Sequence, residues 1–162
     1  MKSGHTPLAI RRELAMTVEA GAYASADVIG GLLTIPNVFG WAKHSVVIQN
    51  VIIKDAADQG GEIEVIFFSA NPSASTFTEN GAVTIADADL SKICGKLRVS
   101  SQTSFASNGI LSADCEIPVD RDSDASSTAA NDQSLYAVCV CRAARTQAAV
   151  GDLSISIGGT RL

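Results

Sequence analysis

The chain has 162 residues, of which 46% are hydrophobic and 18% charged, with a formal net charge of −5. This length fits one domain with a substantial core, and the composition excludes an intrinsically disordered chain. The 12 basic residues are thinly spread, whereas nucleic-acid binding requires clustered Lys and Arg against phosphate. No stretch approaches the roughly 18 consecutive apolar residues of a transmembrane helix. We therefore expect a folded protein that binds neither nucleic acid nor membrane.

The N-terminal segment, residues 1–20, carries alternating apolar residues that we interpret as a strand rather than a helix. Leu8, Ile10 and Leu14 offer apolar contacts, and Arg11 and Arg12 are suited to pairing with carboxylates on a neighbouring subunit. Two alternatives remain open: an arm that reaches another subunit, or an edge strand of its own domain. The charges also interrupt the apolar core that a signal peptide needs, which predicts synthesis and retention in a cytoplasm.

Residues 21–162 form the second predicted unit, a single β-sandwich domain. Its strand patterns are VIGGLLTI (28–35), SVVIQNVIIK (45–54), EIEVIFF (62–68), SLYAVCVCRA (134–143) and LSISI (153–157). The runs 45–54 and 134–143 are expected to be buried on both faces for part of their length, whereas 62–68 and 153–157 alternate. The pair Gly30-Gly31 predicts a bulge within its strand. The sum is an all-β fold, an antiparallel sandwich or jelly roll of about eight strands.

Short polar stretches between these strands predict turns. DQGG (58–61) is expected to join two antiparallel strands, and Asn108-Gly109 is a strong hairpin signal. Trp41, which follows Gly40 in a loop, is either an interface anchor or a core residue at one end of the sandwich.

The longest connection reads SANPSASTFTENG (69–81) and leads into a predicted short helix at 86–93. Asp87 or Asp89 is expected to cap this helix while Leu90 and Ile93 pack inward. Two aspartates at alternate helical positions do not face each other, so they make a poor acid–base pair. Phe77 lies alone in the polar stretch and either returns to the core or serves as an exposed anchor.

Catalytic motifs are absent from the sequence, and the two histidines, His5 and His44, are not paired with a nucleophile at a diagnostic spacing. We therefore expect no enzyme activity, no catalytic residue and no cofactor. The four cysteines, Cys94, Cys115, Cys139 and Cys141, are expected to be reduced and buried. Cys139 and Cys141 should point to the same face of one strand.

The acidic stretch after residue 119 contains a calcium-site candidate, because Asp120, Asp122 and Asp124 have the spacing that opens a calcium-binding loop. The glycine expected at the sixth position is Ala125, and the bidentate glutamate expected at the twelfth is Asn131. A solvated loop that binds no metal is therefore the favoured interpretation.

Three stretches together resemble a family of small structural proteins of tailed bacteriophages. They are AYASADVIGGLLTIPN (22–37), the central NPSASTFTEN (71–80) with IADADLSKICG (85–95), and LYAVCVCRAARTQAAVGDLSISIG (135–158). The resemblance covers most of the chain from Ala22 onward and leaves the first twenty residues uncovered. Gly81 and Cys94 depart from the family pattern.

This resemblance implies a virion protein, most specifically a capsid decoration (cement) protein that binds the outer face of the head and stabilises it. The implied partners are the major capsid protein and further copies of the chain, as a homotrimer, and the implied location is the capsid surface after synthesis in the host bacterial cytoplasm. The interface candidates are Leu8, Ile10, Arg11, Arg12, Leu14, Trp41 and Phe77. Alternatives are a neck, tail or head-fibre component, and a carbohydrate-binding jelly-roll module for host attachment.

Overall fold

Eleven β-strands and one 3₁₀ helix make up the regular structure of a computed structural model that describes residues 7–39, 45–120, 133–147 and 149–162. The strands are β1 (Leu8–Ala15), β2 (Gly21–Tyr23), β3 (Val28–Ile35), β4 (Val46–Asp55), β5 (Ile63–Phe68), β6 (Ile93–Val99), β7 (Ser101–Phe105), β8 (Asn108–Val119), β9 (Leu135–Cys141), β10 (Arg145–Gln147) and β11 (Leu153–Arg161). The helix spans Asp87–Lys92. All named strand pairs are antiparallel, which confirms the predicted all-β sandwich.

Two sheets form the sandwich, in the strand orders β1-β11-β4-β8-β7 and β3-β9-β5-β6. Eight of these strands, β1, β3, β4, β5, β6, β8, β9 and β11, have the order of a jelly roll: successive strands change sheet except at β5 and β6, and the first and last strands are paired. The extra strands explain why eleven are present rather than about eight. β7 extends one sheet, and β2 pairs with β10 in a separate two-stranded sheet.

The core lies between the two sheets and consists of the alternate side chains of each strand that point inward. Ile155 and Ile157 of β11 and Ile53 of β4 are fully or almost fully buried there, as the LSISI pattern predicts. β9 is buried at all seven positions, which confirms its prediction as a strand covered on both faces. The prediction for β4 was wrong, because its residues alternate between buried and partly or fully exposed. One face of β4 therefore borders solvent.

Gly30 and Gly31 form the predicted bulge in β3, where the register with β9 shifts between Ile29 and Leu32. Both glycines have positive φ, 78° and 67°. Residues with a side chain rarely adopt this backbone conformation, so the bulge depends on glycine at both positions. Consecutive N–H groups in such a conformation point toward a common side and make an anion-binding concavity.

Two turn predictions need correction. The stretch 58–61 does not join paired strands, because β4 and β5 belong to different sheets and the segment crosses the sandwich between them. Gly60 and Gly61 have positive φ and make that crossing sharp. The hairpin predicted near Asn108 exists between β7 and β8, but its two-residue turn is Ala106–Ser107, and Asn108 is the first residue of β8.

The predicted short helix is present as a 3₁₀ helix, but its predicted cap is wrong. Ala86 is the N-cap residue, and no side chain makes a capping hydrogen bond to the backbone there. The Asp89 carboxylate instead accepts hydrogen bonds from the Ala74 N–H and from the Ser75 and Lys92 side chains. Leu90 is 53% exposed, so only Ile93 of the two predicted apolar residues packs inward.

Candidate interaction surface

The two sheets differ in how their outer faces are covered. The outer face of the four-stranded sheet carries six buried side chains, Val28, Ile66, Phe68, Tyr136, Val138 and Val140. Residues 69–86, here called the cover segment, place Phe77, Val83 and Ile85 against them. The rings of Phe68 and Phe77 lie 5.9 Å apart at 55°, a tilted arrangement favoured by aromatic pairs. The cover segment thus forms a third layer on this side.

Glu79 fixes the middle of the cover segment to the β3 bulge. Its carboxylate accepts hydrogen bonds from the Gly30 and Gly31 N–H groups, the latter at 3.1 Å, and from the Tyr23 hydroxyl. Burial and the bond to Glu79 raise the pKa of Tyr23 above its ordinary value. Next to Glu79, the Asn80 N–H donates to the Val28 carbonyl at 2.9 Å. The segment is therefore held by backbone and side-chain bonds together.

Asp89 fixes the other part of the cover segment. Its carboxylate accepts bonds from the Ala74 N–H at 3.0 Å, the Ser75 hydroxyl at 2.7 Å and the Lys92 ammonium at 2.8 Å. Burial raises the pKa of Asp89, but the bonds from Lys92 and Ser75 outweigh burial and hold it below its ordinary value. Asp87 is exposed and Asp89 buried, so the two do not form a shared acid pair. The Asp89 carboxylate thus ties the start of the cover segment to the 3₁₀ helix.

A charged cluster lies on the same outer face. Glu64 is 4% exposed and bonds to Arg142, with Nε at 2.9 Å, while the Lys96 ammonium lies 3.5 Å away. Burial raises the pKa of Glu64, but Arg142 and Lys96 outweigh it and lower that pKa. The buried Glu64 carboxylate is thus paired with two bases, which joins β5 to β6 and to the residue after β9.

The outer face of the five-stranded sheet, here called the open face, has no covering segment among the described residues. Its outward side chains follow from strand alternation opposite the core positions. They are Ala9, Arg11, Glu13 and Ala15 of β1; Ser154, Ser156, Gly158 and Thr160 of β11; Val47, Gln49, Asn50, Ile52 and Lys54 of β4; Ile110, Ser112, Asp114, Glu116 and Pro118 of β8; and Ser101, Thr103 and Phe105 of β7. Small and polar residues predominate.

Charge on the open face is low and nearly balanced. Arg11 and Lys54 are its basic residues, and Glu13, Asp114 and Glu116 are its acidic residues. Lys54 pairs with Glu13 at 2.5 Å, and Arg11 Nε donates to the Ser156 hydroxyl at 3.2 Å. Surface pairs of this kind contribute little to stability. The face is thus flat and weakly charged, with half-buried Val47, Ile52 and Ile110 among hydroxyl groups.

A shallow depression of about 350 Å³ lies at one end of the open face. It is lined partly by Ala15, Lys54, Gly109, Ile110 and Asp152. The Asp152 carboxylate accepts a bond from the Ala149 N–H at 2.7 Å, and Lys54 is paired with Glu13. These two charged groups are thus bonded within the fold, and they do not converge on one point where a small ligand could bind.

The predicted interface residues have different positions. Leu8 is 57% exposed and Arg11 lies on the open face, whereas Ile10 is in the core and Leu14 packs partly against it. Of the other candidates, two make contacts within the chain and one lies outside the described residues. Arg12 donates to the carbonyls of Pro36 and Asn37 at 3.0 and 2.8 Å, and Phe77 lies in the cover segment. Trp41 and His44 lie outside the described residues, as does His5.

The metal candidate is only partly described. Asp120 accepts a hydrogen bond from the Ser45 hydroxyl, and Asp122 and Asp124 lie outside the described residues. Elsewhere in the described ranges, no group of three or more His, Cys, Asp or Glu side chains is placed to hold a metal ion. No helix in those ranges is long and apolar enough to span a membrane.

All four cysteines are free thiols, but the prediction that all are buried holds only for Cys139 and Cys141, since Cys94 and Cys115 are half-buried. Cys139 and Cys141 both face the core, in agreement with their spacing. Burial raises the pKa of Cys139 to about 12 and that of Cys94 to about 11. Raised thiol pKa values are typical of inert structural cysteines, since only the thiolate is reactive.

Comparison with known proteins gives no family. No family model matches the chain, and no curated protein matches it. One solved structure similar to it is a chain of the T13 viral particle of IBDV, with 12% sequence identity and a TM-score of 0.29. That match covers 96% of this chain and 39% of the viral chain, so this chain spans well under half the length of that protein. A likeness this distant does not bear on function.

Proposed function

We propose that this chain is a structural protein of a tailed-bacteriophage virion, and specifically a decoration protein that binds the outer face of the capsid. The observation that carries the proposal is the open face, which no described residue covers, whereas the cover segment forms a third layer on the opposite face. The motif resemblance from Ala22 onward supports the same class. Jelly rolls occur in viral capsid proteins and in lectins, so the fold alone does not decide.

The open face is large enough for a specific contact. Five strands about 4.8 Å apart, with eight residues of about 3.3 Å each, give a face of roughly 24 by 26 Å. That is roughly 600 Å² on this side, or about 1,200 Å² counting the partner, which exceeds the roughly 1,000 Å² expected of a specific interface. Many copies on one shell would add their small individual contributions.

The composition of the open face suits such a role. Few of its side chains are charged, as in the core of a protein interface, and its near-neutral charge creates no strong repulsion of a partner surface. The proposed partners are the major capsid protein and further copies of this chain, for which the family resemblance implies a homotrimer. The proposed location is the capsid surface.

Copy number per purified virion tests the proposal. Quantitative mass spectrometry against the major capsid protein is expected to give hundreds of copies, close to the number of capsid subunits. A count of about a dozen would assign the chain to the neck, tail or a vertex instead. Its absence from purified virions would refute both virion assignments.

A binding experiment tests the open face itself. The variant Ile52→Lys with Ser112→Lys places two new charges near the centre of this face, and Ser73→Lys on the exposed part of the cover segment is the matched control. Shells lacking the protein are expected to bind the native chain and Ser73→Lys, and to bind the open-face variant at least tenfold more weakly. Equal binding by all three would exclude the open face as the docking surface.

A carbohydrate-binding role finds less support in the described residues. Sugar-binding jelly rolls stack sugars on exposed aromatic side chains, and Phe105 is the exposed large aromatic residue of the described ranges. Tyr23 and Tyr136 are buried, and the calcium candidate lacks its expected glycine and glutamate.

A further inference from the structure

The exposed edges of the sheets differ in how they are protected from pairing with another chain. Proteins block free edges with charges, proline, very short strands or a covering segment. β1 carries Arg11, Arg12 and Glu13, and β6 carries Lys96 and Arg98. The part of β8 beyond Ser112 contains Asp114, Glu116 and Pro118. The cover segment bonds to β3, and β2 and β10 have three residues each.

β7 is the exception among the described strands. Its sequence, SQTSF, contains no charge and no proline, and all five residues are exposed. Phe105 at its end is 52% exposed. Among the described strands, it pairs with β8 on one side and with none on the other. An uncharged, extended and exposed edge of this kind is a ready template for an added strand.

The hairpin geometry identifies which backbone groups are free. Because the β7–β8 turn has two residues, Phe105 and Asn108 form the hydrogen-bonded pair that closes it. Alternate residues of an antiparallel strand direct their N–H and C=O to the same partner. Thr103 and Ser101 therefore also face β8, whereas Gln102 and Ser104 direct their backbone groups outward at the free edge.

We propose that β7 pairs antiparallel with β7 of a second copy of this chain, across a two-fold axis at Thr103. In this register Gln102 lies opposite Ser104 of the second copy, so all four outward backbone groups on each edge are satisfied. Thr103 faces its own equivalent, and Thr–Thr is a favourable cross-strand pair. Each Phe105 ring lies opposite Ser101 of the second copy and covers part of it.

The arrangement of the free groups favours a second copy over an unrelated strand, and the Gln102 side chain leaves room for either. The free groups at residues 102 and 104 are symmetric about Thr103, so the edge is complementary to itself, as a two-fold contact requires. The Gln102 side chain is also held away from the edge, with Nε2 bonded to Asp58 at 3.0 Å and to the Ser104 hydroxyl at 3.1 Å. A neighbouring strand can therefore approach without displacing it.

The contact joins two five-stranded sheets into one of ten strands. Because the axis is perpendicular to the sheet, both open faces point to the same side. The pair could therefore dock on a single surface, although the inference concerns the free protein and does not depend on the proposed function. A trimer held by other surfaces would leave β7 available for the same contact.

Cysteine cross-linking of the full-length chain tests the register. Thr103 and its equivalent form a non-hydrogen-bonded pair with Cα atoms about 4.5 Å apart, within the range that a disulfide spans. Thr103→Cys is expected to give a covalent dimer on non-reducing gels after mild oxidation. Ala9→Cys, on the exposed β1 edge, is the matched control; on the same gels it should give no covalent dimer, and neither should the native protein with its four thiols. Equal cross-linking of both variants, or none, would overturn the proposal.

Sedimentation equilibrium gives an independent test. The native chain and Ala9→Lys are expected to form dimers, or trimers that pair further, with the same dissociation constant. Thr103→Lys, which places two ammonium groups beside the axis, should weaken the association at least tenfold without lowering the melting temperature. A native chain that remains monomeric at about 100 μM, or an assembly that Thr103→Lys leaves unchanged, would refute pairing through β7.

Discussion

Arg145 and Asp55 form an ion pair of 2.7 Å in which each side chain is only 1% exposed. Asp55 also accepts bonds from the N–H groups of Ala57 and Gln59, at 3.1 and 3.0 Å. Arg145 Nε donates to the Gln147 side-chain oxygen at 3.1 Å. The pair thus joins the segment that crosses between the sheets to the short strand β10.

Breaking this pair is expected to be strongly destabilising. Asp55→Asn or Arg145→Met leaves one buried charge without its partner, which costs about 3–5 kcal/mol of unfolding free energy. The double variant should lose less than the sum of the two single losses, because it removes both charges. Urea unfolding measures all three.

Lys54→Met is the control for that series. It removes the exposed pair with Glu13, whose side chains are each almost half exposed, and should cost about 1 kcal/mol or less. A loss for Asp55→Asn no larger than that for Lys54→Met would contradict the assignment of the buried pair as a main stabilising contact.

Glu79→Ala is expected to loosen the cover segment while the sandwich stays folded. The variant leaves the Gly30 and Gly31 N–H groups without their carboxylate acceptor, so hydrogen exchange should accelerate in residues 28–33 and 69–86. Asp87→Ala, an exposed acidic residue near the same segment, is the control and should leave exchange there unchanged. Faster exchange throughout the chain would instead indicate global destabilisation.

The strands could be predicted because their signals are local. The alternation at Leu153, Ile155 and Ile157 and the continuous apolar run of β9 each reflect one strand's own environment. The bulge at Gly30 and Gly31 was likewise predictable, since the backbone there requires positive φ.

The partners of polar residues could not be predicted, because they are distant in sequence. Glu79 bonds to Gly30 across 49 residues, and Arg145 to Asp55 across 90. Capping is a local rule and predicts Asp87 or Asp89 as the cap, but the Asp89 oxygens accept bonds from Ser75, Lys92 and the Ala74 N–H instead. The open face could not be predicted from the sequence either, because the pattern of β4 alone does not show which of its faces another layer covers.

Acid should destabilise the native protein partly through Glu64. The lowered pKa means that the folded state favours the charged carboxylate more than the unfolded chain does. In the unfolded chain, Glu64 has its ordinary pKa of 4.5. The stabilisation is therefore complete above about pH 4.5 and is lost as the pH falls through the lower folded-state pKa. Melting temperatures from pH 7 to pH 2 should fall less steeply for Glu64→Gln than for the native chain.

At neutral pH, Glu64→Gln should itself cost about 1.5–3 kcal/mol, because it removes the charge-assisted bonds from Arg142. Glu13→Gln is the control: Lys54 lowers the pKa of Glu13, but the pair is exposed, so salt screens it and the acid profile should hardly change. An identical acid profile for Glu64→Gln and the native chain would show that this cluster contributes nothing to acid sensitivity.

The thiols provide a probe of whether the core is as closed as the structure indicates. At pH 8 Cys139, with its pKa raised to about 12 and its side chain inaccessible, should not react with a disulfide reagent on a time scale of minutes. Cys94 and Cys115, which are half-buried, should react slowly, and all four thiols should react at once in denaturant. Cys139→Ser tests this assignment, because the number of protected thiols should fall by one. Rapid native-state reaction of all four would mean that the sandwich opens readily between its two sheets.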